Sequence, residues 1–435
     1  MQLLRPAIRQ YQWGSTTLIP ELAGQNATGE HIAELWFGAH PAAPAHVEQP
    51  QDDEEKRATL GATTDSHASS LDQVIAADPE YHLGARVCRS ADSRLPFMVK
   101  LLAADEPLSL QAHPSKSAAE EGFARENAAG LALDDPQRNY KDANHKPELI
   151  VALTPFRALA GFRSNDDTRQ LFDAVDCAEL RPFIAMLSSS TGTEAERLHQ
   201  LFRSWVTCSA DERSALISAI VDRAHAVLAD ASPVPSWIAD SLRTVIDLQQ
   251  RYPGDIGVLG AMLLHHVSME PGEALCLESG QLHAYLEGMG VEIMANSDNV
   301  LRGGLTAKHV DVPELLSVLD FSSVDDPVVQ AEEIAQGRFR YPARAEEFFL
   351  ERVELDAAQP SFSISHDGPV IVLVTRGTVL CRQQELHPAE AMWLPAGNER
   401  VDEGDAAASA CEISLGESAN DAGAGVNAEI FIARA

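Results

Sequence analysis

The apolar positions of this chain change period twice. Up to about Arg163 they fall in short runs such as AELWFGAH and LPFMVKLLAA, cut by Pro, Gly and other turn residues, which predicts short strands rather than long helices. From about Asn165 to Tyr252 the spacing becomes three and four residues: Leu171, Phe172 and Val175; Leu198, Leu201, Phe202 and Trp205; Leu216, Ile217, Ile220 and Val221; Leu242, Val245 and Ile246. Such spacing draws a one-sided stripe on each helix, so the stretch reads as packed helices whose stripes form a bundle core. Ser209 with Glu212 is a capping box that sets one helix start. Strand texture resumes near Gly257 in AMLLHHVSMEPGEALCLESGQLHAYL. After about Phe321, apolar and polar residues alternate in FFLERVEL, SFSIS, VIVLVTRGTVL, AMWLPAG and EIFIARA.

These shifts divide the chain. Residues 1–163 and 257–320 are expected to form one discontinuous domain, 164–256 a helical insert, and 321–435 a C-terminal β unit. An insertion of this kind is tolerated when its ends lie close together. The polar stretch from Glu48 to Ser70 and the segment LGESANDAGAGVNA read as loops, with a short helix expected at LDQVIAADPE.

Charge narrows the partners. With 33 basic and 65 acidic residues in 435, the formal net charge of -32 repels nucleic acid and anionic membranes. A small anionic substrate would need a local basic cluster working against that field. No run of 18 apolar residues occurs, and MQLLRPAIRQYQWG has no signal-peptide core, so a cytoplasmic protein is expected, with no membrane partner. The six cysteines are scattered without a CxxC pair, which suits reduced thiols rather than disulfides or a cysteine metal cage.

Four side chains in three dense segments have the chemistry of metal ligands: Gln111 and His113 in PLSLQAHPSK, Glu148 in NHKPELI, and His283 in ESGQLHAYL. Two imidazoles, a carboxylate and an amide oxygen suit a zinc-like ion with room for a substrate oxygen. Gln111 and His113 are separated by one residue, so on a strand both point to one face. The spacing Gly272, Glu278, Gly280, His283 resembles the second motif of the cupin barrels, with Glu278 where that motif usually has Pro. QAH likewise resembles the paired-ligand strand of the first cupin motif, with Gln replacing a His. In the last block Pro395, Gly397 and Arg400 fall at similar spacing, but Arg400 occupies the histidine position, so no metal is expected there. The expected fold class is therefore mainly β: cupin or jelly-roll barrels with an inserted α-helical domain.

The segments YQWGSTTLIPEL, AELWFGAHPAAPAHV, LPFMVKLLAADEPLSLQAHPSK, NYKDANHKPELIVAL and LHAYLEGMGVEIMANSDNVLRGGLTAKHVDV resemble type I phosphomannose isomerases. The resemblance implies a zinc-dependent aldose-ketose isomerase, one zinc per chain, interconverting mannose 6-phosphate and fructose 6-phosphate through a cis-enediol proton transfer. By position it implies Gln111, His113, Glu148 and His283 as zinc ligands and Arg302 as a catalytic residue. Lys100, Ser109, His145, Lys146, Tyr285, Glu292, Asp298 and Lys308 match pocket positions. Among these, Glu292, Asp298, His145 and Lys146 are candidates for proton transfer, while Lys100, Ser109, Tyr285 and Lys308 are candidates for holding substrate. The partner so implied is a small sugar phosphate, and the protein is expected to be a monomer. The family usually reads TPKH where this chain has Thr306, Ala307, Lys308, His309, a change that removes no functional group. A cupin-type metal oxygenase and a non-catalytic sugar-binding cupin remain as alternatives on the metal ligands alone.

Overall fold

The computed structural model describes residues 2–48, 69–230, 234–381, 384–397, 409–416 and 426–435, the last two numbers before Cys411 by backbone only. Arg400 and most of the two polar loop segments lie outside the described residues, whereas the expected short helix is present as Leu71–Ala77. The fold is mixed α/β: mostly antiparallel sheets plus a helical region.

One strand organises the sheet that matters for chemistry. His283–Ala295 runs for 13 residues and serves two neighbourhoods in turn. Its first half pairs with Phe156–Phe162 and, at His283, with Gln111 of Leu110–Ala112. Its second half pairs with Phe97–Ala104 on one side and Glu148–Ala152 on the other. The changeover falls at Gly288, whose φ of +117 is open to glycine and which would place a Cβ 2.7 Å from the Pro155 carbonyl. Leu301–Gly304 adds to the outer side of Leu110–Ala112. The described pairings branch at this strand and do not close into a ring, so antiparallel sheets are established rather than closed barrels.

Helices Asn165–Val175, Arg181–Leu187, Glu194–Thr207, Ala210–Ala229 and Ser236–Arg251 occupy the stretch with helical period. Ser209 and Glu212 form the expected capping box, and Thr193 with Glu196 forms another. Their stripes, including Leu171, Leu201, Trp205, Ile217 and Leu242, share one core with Leu110, Ala112, Leu282, Ala284 and Leu301 of the sheet. Alternation does the rest. Because neighbours on a strand face opposite sides, burying Leu110, Leu282 and Leu301 against the helices turns Gln111, His283 and Arg302 to the other face.

A second sheet joins the two ends of the chain. Gln2–Arg5 lies between Ala391–Leu394 and His46–Glu48, with Leu3 opposite Met392 and Leu4 opposite Val47. The same sheet continues through Val370–Arg376, Ala428–Arg434 and Phe349–Leu355. Leu35, Val99, Val151 and Ile293 of the first sheet share a core with Leu350, Ile371, Trp393 and Phe431 of the second.

Candidate metal centre

His113, Glu148 and His283 converge from three elements. His113 directly follows the short strand Leu110–Ala112, Glu148 begins Glu148–Ala152, and His283 begins the long strand. Gly280, at φ +81, donates its N–H to the His113 carbonyl at 2.8 Å and ties the approach to His283 to the first ligand segment. Glu278, standing where the cupin motif has Pro, pairs with Arg344 at 2.9 Å.

The donor atoms face one another. One ligand atom from each of the three lies within 4.8 Å of the others, and all three residues are buried. Glu148 Oε2 is 3.2 Å from His113 Nε2 and 3.5 Å from His283 Nε2, yet none of these three atoms has a hydrogen-bond partner. Three buried orphan acceptors aimed at one point are costly unless a cation sits between them. The imidazoles are also oriented from behind: His113 Nδ1 donates to the Asn299 carbonyl at 2.8 Å and His283 Nδ1 to the Gln281 carbonyl at 2.9 Å. A proton held on Nδ1 leaves the Nε2 lone pair free to ligate.

Electrostatics favour the ligating protonation states. Burial would push the Glu148 carboxyl up, but Lys146, at 2.9 Å from Oε1, and His113 hold it well below the usual carboxylate range. Burial pushes His113 down to about 4, keeping it neutral near pH 7. Gln111 stands opposite His283 on one side and Arg302 on the other, which places all three on one face of the sheet.

The remaining candidates fall into distinct settings. Lys100 is buried between Glu292 Oε2 at 2.8 Å and Glu34 Oε1 at 3.4 Å, and these carboxylates outweigh burial and raise it. Tyr285, also buried, donates its hydroxyl to Glu292 Oε1 at 2.9 Å, so both oxygens of Glu292 are engaged. His145 Nε2 meets Glu347 Oε1 at 2.5 Å, a partner from the C-terminal part of the chain. Asp298 is half-exposed, 3.5 Å from His40. Ser109 lies in the connection between Phe97–Ala104 and Leu110–Ala112. Arg302 is half-buried with no ion pair among the described residues, and burial lowers it; burial and Arg302 together lower Lys308. Among the described residues neither cation has a carboxylate partner, in a chain of net charge -32. Two clefts of about 400 and 510 Å³ are lined by none of these residues.

Sequence reasoning missed the supporting groups. Asn299, fully buried, accepts on Oδ1 from the Lys141 and Asp142 amides while its carbonyl orients His113. It sits in the segment ANSDNV beside Asp298, but nothing in one sequence says that a backbone carbonyl there serves a histidine 186 residues earlier.

The type I phosphomannose isomerase catalytic domain matches residues 1–165. A mannose-6-phosphate isomerase of Escherichia coli (strain K12) is 36% identical over 407 residues, spanning 92% of this chain and 96% of its own. The chain belongs to the type I phosphomannose isomerase family. Family likeness extends to mannose-6-phosphate isomerase 2 of Arabidopsis thaliana, 30% identical over 87% of this chain and 84% of that one. A crystal structure of a variant phosphomannose isomerase from Salmonella typhimurium superposes with a TM-score of 0.81 at 32% identity, covering 100% of this chain and 99% of that one. A zinc-bound holo structure of mannose 6-phosphate isomerase gives a TM-score of 0.80 at 32% identity, over 100% of this chain and 98% of the other. Phosphomannose isomerase likeness thus spans the sheets and the helices, not the ligand segments alone.

Proposed function

We propose that this chain is a zinc-dependent mannose-6-phosphate isomerase, moving a proton between C1 and C2 of mannose 6-phosphate and fructose 6-phosphate through a cis-enediol. The observation that carries the reading is the set of three buried, unpartnered ligand atoms of His113, Glu148 and His283 in a chain of this family. Gln111 would add a neutral fourth ligand from the adjacent strand position. Zinc there would polarise the sugar oxygens as a Lewis acid.

The chain's own residues divide the remaining work. Arg302 and Lys308, neither with a carboxylate partner among the described residues, are suited to the phosphate and to developing negative charge on oxygen. Guanidinium remains protonated, so Arg302 orients and stabilises rather than removes the proton. Lys100 and Tyr285 hold Glu292 within the buried floor. Proton transfer requires a group within hydrogen-bond reach of C1 and C2, and Glu292, Asp298, His145 and Lys146 are the candidates for it. Ser109, beside Leu110, adds a hydroxyl for the substrate.

The finer architecture we propose is a pair of cupin-like barrels, with residues 1–163 and 257–320 as the metal-bearing domain, 164–256 as the helical insert and 321–435 as the C-terminal unit. The i, i+2 ligand pair and the motif around Gly280 support the first of these. The described helices have one shared stripe-built core, which supports the second. A monomer suffices, because every ligand comes from one chain. No helix among the described residues is long and apolar enough to cross a membrane, and the scattered cysteines without a CxxC pair suit the reducing cytoplasm we propose.

A coupled assay for fructose 6-phosphate formed from mannose 6-phosphate tests the reading. Activity is expected to vanish with a strong chelator and to return with zinc. Turnover that persists after complete metal removal would overturn it.

A further inference from the structure

A cleft of about 510 Å³ opens where the helix Pro79–Ser90, the turn after Ser361–His366 and the sheet face near Phe349 meet. Its walls include Arg86, Arg340, Arg434, Phe349, His366 and Asp367, none of which the isomerase reading uses. The volume lies within the range that holds small ligands.

Strand register builds the cationic wall. Arg340 stands opposite Glu351 and Arg434 opposite Phe349. Phe349 and Glu351 are two apart on one strand, so all four side chains share a face. Glu351 is wholly buried and receives three guanidiniums: Arg338 at 2.7 Å, Arg340 at 2.8 Å, and Arg434. Arg86 closes the other side, paired with Asp367 at 3.0 Å and donating to the Ala435 main-chain oxygen at 2.8 Å. Among the described residues, four guanidiniums therefore meet two side-chain carboxylates and the Ala435 main-chain oxygen. A surplus of arginines in a chain with a net charge of -32 runs against the field of the whole molecule.

The surplus is also open to a ligand. The Arg340 side chain is 44% exposed and that of Arg86 48% exposed, so both can reach an incoming anion. Phe349 is one of the few large apolar side chains left exposed, and its ring borders the same cleft. Guanidiniums bind phosphate through paired N–H donors, and an exposed aromatic ring covers a flat apolar ligand face.

We infer that this cleft is a second ligand site, for a phosphorylated small molecule that also carries a ring with an apolar face. It shares no lining residue with the metal centre. A ligand there would join Arg86 of the N-terminal half to Arg340 and Arg434 of the C-terminal half.

Isothermal titration of the full-length, zinc-loaded protein at low salt tests the inference, with three probes: inorganic phosphate, a hexitol 6-phosphate that cannot be isomerised, and a nucleoside 5′-monophosphate. The nucleoside 5′-monophosphate is expected to bind the distal cleft of the wild type with one equivalent, and the ringless hexitol 6-phosphate to bind at the metal centre alone. Arg302→Ala should keep the equivalent in the distal cleft. Phe349→Ala and Arg86→Gln, both at exposed side chains, should each weaken that equivalent at least tenfold while leaving turnover and metal content unchanged. Arg302→Ala should retain the nucleotide and not the hexitol; a hexitol retained as tightly as the nucleotide would overturn the ring-bearing ligand. Binding of inorganic phosphate as tight as that of both larger probes would remove the ring from the inference. A single equivalent lost entirely in Arg302→Ala, or a distal equivalent unaffected by Phe349→Ala and Arg86→Gln, would overturn the site.

Discussion

Each residue at the metal centre has a job set by what it touches. His113 and His283 present Nε2 because backbone carbonyls hold Nδ1, and Glu148 is kept ionised by Lys146. Arg302 differs: it shares their face of the sheet without touching a carboxylate. Arg302→Ala is therefore expected to abolish turnover while zinc stays near one per chain by metal analysis; equal loss of both would make its role structural. Lys100 makes the opposite case. It neutralises Glu34 and Glu292 inside the protein, and Lys100→Met would leave two buried carboxylates without a counter-charge. Such a loss costs about 3 to 5 kcal/mol, so the urea midpoint should fall markedly; an unchanged midpoint would show that Lys100 serves the substrate and not the fold. The sequence marked all of these residues except Glu34, but it could not separate a lysine spent on two carboxylates from a lysine left without one.

At the scale of elements, the helical region supports the metal strands rather than merely interrupting them. Trp205 is fully buried in the core that also contains Leu110, Leu282 and Leu301, each the neighbour of a site residue. Removing its ring leaves a cavity behind those strands, at a cost of about 3 to 5 kcal/mol. Trp205→Ala should lower the melting temperature and also weaken zinc affinity, read by competition with a chromogenic chelator. Zinc affinity equal to wild type in the folded variant would mean that the helices do not hold the ligands in place. The helical period was legible because its stripes are long and one-sided. What the stripes pack against was not, since an apolar face carries no label for its partner.

For the molecule as a whole, histidines held neutral by desolvation set the acid limit. Burial lowers His82, His265 and His266, the last to about 4. An unfolded histidine titrates near 6.5, so between that value and about 4 the unfolded state binds a proton that folded His266 refuses. Stability is fully present above that window and is lost as pH falls through it, on the order of 2 kcal/mol for His266 after allowance for its partial exposure. The melting temperature of zinc-saturated protein should fall from neutral pH towards pH 4, and His266→Gln should flatten part of the slope; identical slopes would remove His266 from the account. Taken alone, the sequence determined the ligand types, the strand and helix texture and the family, because these depend on residue identity and short-range period. Only the tertiary structure decided that Gln2–Arg5 joins a sheet with strands near the other end of the chain, that Asn299 orients His113, and that Glu347 reaches His145. Each of these joins residues far apart in the chain, and their pairing is set by register and packing, which no local pattern encodes.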